Sequence, residues 1–279
     1  MKIIATLSIL TSIFLFSCQK EADLSNNNGT GGGTSGSGLL TKIVSKSGSD
    51  SSILAFGYNS SKKLITLNTT IVSGGTTSLV QERVERNSQG IITKLILKSD
   101  IYQQAGIDSI VTVVSNNSGK YNAKVTTINF LGVLLKDSVS IIYDASGKVI
   151  SEKSYDNPGT GSYEETSKVD YTYSGNNIAT IKSYSFDPTT TSYSLEETES
   201  YDQYDTKVSP INFGFDAFAF DSPFFFSSNN PLKSTVTVSG SSPQTYLTTY
   251  TYNSSNKPVT ATSIIQPGGA TATGAYYYQ

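Results

Sequence analysis

The chain has 279 residues, 15% of them charged, and a formal net charge of −2. It contains no histidine, no tryptophan and one cysteine. These counts exclude a Ser-His-Asp triad, a His-ligated zinc and an internal disulfide, and a net charge this low gives no reason to expect nucleic acid as a partner.

The N-terminus reads as a cleavable signal over residues 1–17. Lys2 is its positive start and Ile3 to Phe16 its apolar stretch, broken only by Thr6, Ser8, Thr11 and Ser12. That run is shorter than the roughly 20 residues a spanning helix needs. Leu15-Phe16-Ser17-Cys18 resembles the lipobox of bacterial lipoproteins, which implies acylation of Cys18 and cleavage just before it. Gln19-Lys20-Glu21-Ala22-Asp23 resembles the surface-export signal of Bacteroidota lipoproteins, which implies an outer-membrane, exterior-facing address. Residues 18–38 then form the lipidated start and a Ser/Gly/Asn-rich tether. Such a sequence buries too little apolar area to offset its ordering entropy, and some fifteen residues of it reach roughly 20 Å.

Residues 39–279 read as one all-β domain. Tyrosine occurs 18 times, Ser, Thr and Asn are abundant, and no apolar pattern of period 3.6 is sustained. Tyrosine and β-branched residues suit pleated, half-buried surfaces. A degenerate hairpin motif recurs: an aromatic or apolar strand end, then Asn or Asp, then Gly, Lys or Asn, then an apolar run. Copies are Tyr58-Asn59 to Ile65, Arg86-Asn87 to Ile92, Ser115-Asn116 to Lys120, Tyr143-Asp144 to Ile150, Tyr173-Ser174 to Ile178 and Tyr252-Asn253 to Val259. The residue before the turn falls at 58, 86, 115, 143 and 173, a step of 28–30 residues. Tyr201 to Val208 is a further copy out of register by one. Asn or Asp starts such a turn by bonding its own backbone, and Gly or Asn tolerates the positive φ that follows. Each period holds two strands, so an antiparallel meander of about 29-residue hairpins is expected, strongly curved into a barrel or half-barrel. Alternation, as in Lys94 and Lys98 against Leu95 and Leu97, gives one wet face and one apolar or aromatic face. Faces of Lys, Thr and Asn are wrong for lipid contact, so a pore with an apolar exterior band is not expected.

These copies resemble the Tyr-Asp repeats of RHS-type shell proteins, and more closely the uncharacterised Bacteroidota lipoproteins built from Tyr-x-Tyr-Asn/Asp-x-x-Gly-Lys hairpins. The resemblance covers Phe56 to about Ile265 and implies a fold and a location, with no activity attached.

One stretch breaks the repeat. Residues 211–226 hold seven of the twelve phenylalanines, among them Phe213, Phe215, Phe218 and Phe220. Pro223, Gly214, Asp216 and Asp221 argue against a central strand. These phenylalanines are the candidate ligand or cap contacts: they cover the apolar face of the curved sheet, or form a lid, or present a partner patch. The acidic groups Glu164-Glu165 and Glu196-Glu197 with Glu199 are the remaining chemistry. Neighbours on a strand point to opposite faces, so Glu164 and Glu165 cannot pair, whereas Glu197 and Glu199 can share a face. They are expected to be solvated strand edges that discourage aggregation. No cofactor or metal motif is present in the sequence. The functional expectation is a non-catalytic, membrane-anchored surface module that binds a glycan or another envelope component. The alternative is a structural or lipid-handling envelope protein with an apolar inner face and a hydrophobic ligand.

Overall fold

The computed structural model describes residues 38–117, 120–157, 161–220 and 227–279, excepting the side chains of Phe215 and Phe218. The signal, Cys18 and most of the tether lie outside the described residues.

The chain climbs through sixteen strands. The first eight are β1 (Leu40–Ser47), β2 (Asp50–Tyr58), β3 (Leu64–Ser73), β4 (Thr76–Arg86), β5 (Ile92–Ser99), β6 (Ile110–Asn117), β7 (Lys120–Phe130) and β8 (Val133–Tyr143). They are followed by β9 (Val149–Asn157), β10 (Glu164–Ser174), β11 (Asn177–Asp187), β12 (Ser192–Val208), β13 (Asn229–Val238), β14 (Gln244–Tyr252), β15 (Pro258–Gln266) and β16 (Ala270–Tyr278). Each pairs antiparallel with its sequence neighbour, and β1 pairs with β16, so the sheet is a closed barrel. A short helix, α1 (Asp100–Gln104), interrupts the β5–β6 connection. Among the described residues every ladder lies between Leu40 and Tyr278.

The repeat sets one end of the barrel, called here the near end. Its turns share one geometry. The Oδ1 of Asn59, Asn87, Asp144 and Asn253 accepts from the backbone N–H four residues on, at 2.9–3.0 Å. The residue before that N–H has positive φ: Lys62 at 59°, Gly90 at 79°, Gly147 at 88° and Asn256 at 58°. Gly adopts this region freely and Asn tolerates it, which is why they recur there. Beside each turn the ladder shifts register at the same place, Gly57/Tyr58, Glu85/Arg86, Ile142/Tyr143, Thr172/Tyr173 and Thr251/Tyr252. The bulge turns both flanking residues inward. The pre-turn tyrosine then clasps the preceding repeat. Tyr58 donates to Leu40 O at 2.8 Å, Tyr204 to Ile178 O at 2.7 Å, and Tyr278 to Pro258 O at 2.8 Å.

The copy at Tyr201 to Val208 is not a hairpin. It is the end of β12, whose ladder to β13 shifts three times. The turn expected there is replaced by the excursion 209–228. Its ends are tied, Ser209 N–H to Ser228 O at 2.8 Å and Ser228 N–H to Asn176 O at 3.2 Å. The repeat therefore runs all the way round the barrel, and its sixth near-end turn has been exchanged for the phenylalanine-rich segment.

Candidate functional site: a plugged barrel with a polar lumen

Sixteen strands enclose more space than their own side chains fill, as in barrels that hold an aqueous channel. Here the near half is filled by the excursion. Gly214–Phe220 forms a 3-10 segment that carries Ala217, Ala219 and Phe220 into the main core cluster with Leu54, Phe56, Ile92, Val149 and Ile178. Phe220 is 8% exposed. Phe213 is half-buried, its ring 5.8 Å from Phe56 and 6.3 Å from Phe220. Phe215 and Phe218 are residues of the same segment, and their side chains lie outside the described residues.

A buried ion pair fixes this plug. Asp216 receives Arg86 Nη2 at 2.9 Å, with the Arg86 side chain 6% exposed and that of Asp216 20%. Arg86 also donates to Leu64 O and Gly90 O. The second Asp216 oxygen accepts from Tyr121 Oη at 2.9 Å, and that same hydroxyl accepts from Ile92 N–H. Burial pushes the Tyr121 hydroxyl well above the ordinary tyrosine range, so it stays a donor. Arg86 stands where other repeats carry Tyr58, Tyr143, Tyr173 or Tyr252, and it makes the same bond to the preceding repeat through Leu64 O. The hairpin pattern expected from the sequence does not include this contact. The signal for it was available: the chain has two arginines in all, and one replaces the aromatic residue of the repeat.

Beyond the plug the inner face changes character. The ladders place Asp137 opposite Asp156 and Asp156 opposite Glu164, all three facing inward across β8, β9 and β10. On β12, Glu197 and Glu199 share the inner face, opposite Ser183 and Ile181 on one side and Val238 and Val236 on the other. Glu199 accepts from Tyr201 Oη at 2.7 Å, and among the described residues neither glutamate forms a salt bridge. Burial raises both carboxyls above their usual range; for Glu199 the Tyr201 hydrogen bond opposes the rise and the charge of Glu197 adds to it. They are not solvated strand edges, because a closed barrel has no edge and both face the lumen. Glu165 faces outward, as alternation required of Glu164 and Glu165. Beside Glu197 and Glu199 the wall presents Gln244 and Tyr246, the latter donating to Gln244 Oε1 at 3.0 Å. Most of these carboxylates are only half-buried, so they make one side of the far inner face polar, called here the cup; the side at β5–β8 is filled by a second apolar cluster, Ile107, Ile110 and Ile128 with Leu97, Phe130 and Leu135.

Burial and the adjacent Asp156 push the Asp137 carboxyl up to about 6. A folded value above the unfolded one means that folding favours the protonated form. The penalty is absent below the unfolded value near 4 and is imposed as pH rises through 6. Asp137→Asn should therefore stabilise the barrel at pH 7.5, by about 1 kcal/mol after discounting for solvent, and change nothing at pH 4. Thermal melts of both proteins at the two pH values check this.

The exterior carries paired charges along its length. Lys94 pairs with Glu85 at 3.0 Å, Lys153 with Glu165 at 3.1 Å, Lys168 with Asp170 at 2.7 Å and Lys233 with Asp202 at 3.0 Å, all on the outer face. A lipid-facing barrel needs a continuous apolar band about 25 Å tall, and these pairs interrupt any such band.

No family model and no curated protein matches the chain. Among solved structures it is similar to a porin-like protein from Bacteroides uniformis, at 11% identity over 86% of this chain and 98% of that one, with a TM-score of 0.55. It is also similar to a porin-like protein from Bacteroides vulgatus, at 13% identity over 87% of this chain and 99% of that one, with a TM-score of 0.54. The chain shares the fold of porin-like barrels. Identities this low carry the fold and leave the lumen chemistry to be argued from this chain's own residues.

Proposed function

We propose that the protein is a lipid-tethered envelope barrel, standing beside the outer membrane and facing the exterior, whose far lumen binds a polar ligand without transforming it. The observation that carries this reading is the row of half-buried inward carboxylates beyond the apolar plug, Asp137 and Asp156 on one wall and Glu197 and Glu199 on another. Carboxylates accept hydrogen bonds from sugar hydroxyls, so a glycan is the favoured ligand. The porin-like fold in two Bacteroides proteins supports an envelope location. The charged exterior favours tethering over spanning, and Leu15 to Cys18 supplies the tether.

Two experiments test it. Glycan-array binding and native mass spectrometry on the chain from Gln19 onward should detect a glycan, and Ser183→Trp, which fills the cup opposite Glu197, should abolish the signal. Copurifying lipid with no glycan would favour the lipid-handling alternative. For the tether, Cys18→Ala should abolish incorporation of an alkyne fatty acid and release or mislocalise the protein; equal labelling of mutant and wild type would refute acylation there.

A further inference from the structure

Net charge hides a sorting of charge along the barrel axis. The near-end turns and strand ends carry Lys62, Lys63, Lys120, Lys148, Lys207 and Lys257, and among the described residues none of the six forms a salt bridge. Where they bond at all, their amines meet neutral groups: Lys148 Nζ meets Gly175 O, Lys257 Nζ meets Gly38 O, and Lys207 Nζ meets Asn256 Oδ1 at 2.8 Å. Their charge is thus held at the rim and left uncompensated by partners. The carboxylates of that end are few. Asp216 is taken by Arg86, Glu85 by Lys94, and Asp205 is enclosed by Asn230 and Tyr252. Asp144 is spent on its own turn. The opposite end is acidic, with Asp50, Asp100, Asp108 and Asp187 at its turns and Glu164 at its mouth.

The chain also leaves the barrel at the basic end. Gly38 N–H bonds to Gln279 O at 2.6 Å there, and nineteen residues lie between Cys18 and Gly38.

We propose that the near-end lysine rim is a docking surface for an anionic phospholipid surface, which orients the barrel with its plugged end on the membrane and its cup pointing away. It rests on the tethered reading only in that the tether brings the membrane within reach. Each lysine near an anionic surface strengthens binding by about fivefold. Six on one rim supply orientation that a flexible tether cannot, and the attraction fades with salt over a Debye length of about 10 Å.

The test uses the chain from Gln19 onward, which lacks both signal and cysteine and keeps every strand, with phosphatidylcholine vesicles made with and without phosphatidylglycerol. Cosedimentation should occur only with the anionic vesicles and weaken with added salt. Lys62→Gln/Lys63→Gln/Lys207→Gln should reduce it by tenfold or more, while Lys46→Gln/Lys98→Gln/Lys136→Gln, on the other half, should leave it within twofold. If circular dichroism shows the triple rim variant misfolded, the exposed pair Lys62→Gln/Lys63→Gln replaces it, with a loss of at least fivefold expected. Absence of binding to anionic vesicles at low salt, or equal losses in both variants, would overturn the proposal. A failure of Cys18 labelling would remove the tether and leave this result standing, so the two readings fail separately.

Discussion

Asp216→Ala should destabilise the barrel by about 3–5 kcal/mol, because it leaves the Arg86 guanidinium buried without its counterion. Arg86 keeps its bonds to Leu64 O and Gly90 O, but both acceptors are neutral and neither offsets the desolvation of a full charge. The ion pair itself need not be a net source of stability. Replacing both members with apolar residues of similar volume, Arg86→Met with Asp216→Leu, should cost much less than either single change. Urea melts of the two single variants and the double variant of the chain from Gln19 onward measure the cycle. Equal and small effects from all three would mean that the plug is not held by charge. A large loss in the single variants with recovery in the double one would mean that the pair sets where the segment docks and packing supplies the stability.

Much of this architecture is legible in the sequence. The step from Tyr58 to Arg86 to Tyr143 fixes hairpins of about 29 residues, and alternation at Leu95 and Leu97 against Lys94 and Lys98 fixes which face turns in. Closure is harder to read, because it depends on the seam between β1 and β16, where Leu40 pairs with Tyr278, and no motif near Leu40 announces that pairing. The break at residues 211–226 is visible as a composition change. Its docking partner is visible only as a deviation, an arginine at a tyrosine position, and deviations carry weight only once the repeat is trusted. The lumen carboxylates were misplaced for a physical reason. A strand with one charged face looks the same in an open sheet as in a closed one, so Glu197 and Glu199 read as edge residues until closure turns their face inward. The basic rim was hidden by the same averaging, since a net charge of −2 sums two ends of opposite sign.

Phe220→Ala should cost about 3–5 kcal/mol, a large share of the 5–15 kcal/mol net stability of a folded domain. The ring is 8% exposed within the main cluster, which draws residues from most of the strands, so the vacated space has walls fixed by several ladders and cannot readily collapse. Phe213→Ala should cost less, about 1.5–3 kcal/mol, because its ring is only half-buried against Phe56 and Phe220. The order of the two values separates a plug from a lid. A lid that lay open in the free protein would leave both rings wet, and both substitutions would then fall within about 0.5 kcal/mol, the range of ordinary surface changes. Because Phe213 touches Phe220, the double variant should lose less than the sum of the single losses. Urea melts of all three variants measure this. Losses near zero for both single variants would detach the segment from the core and remove the closed near end on which the cup reading depends.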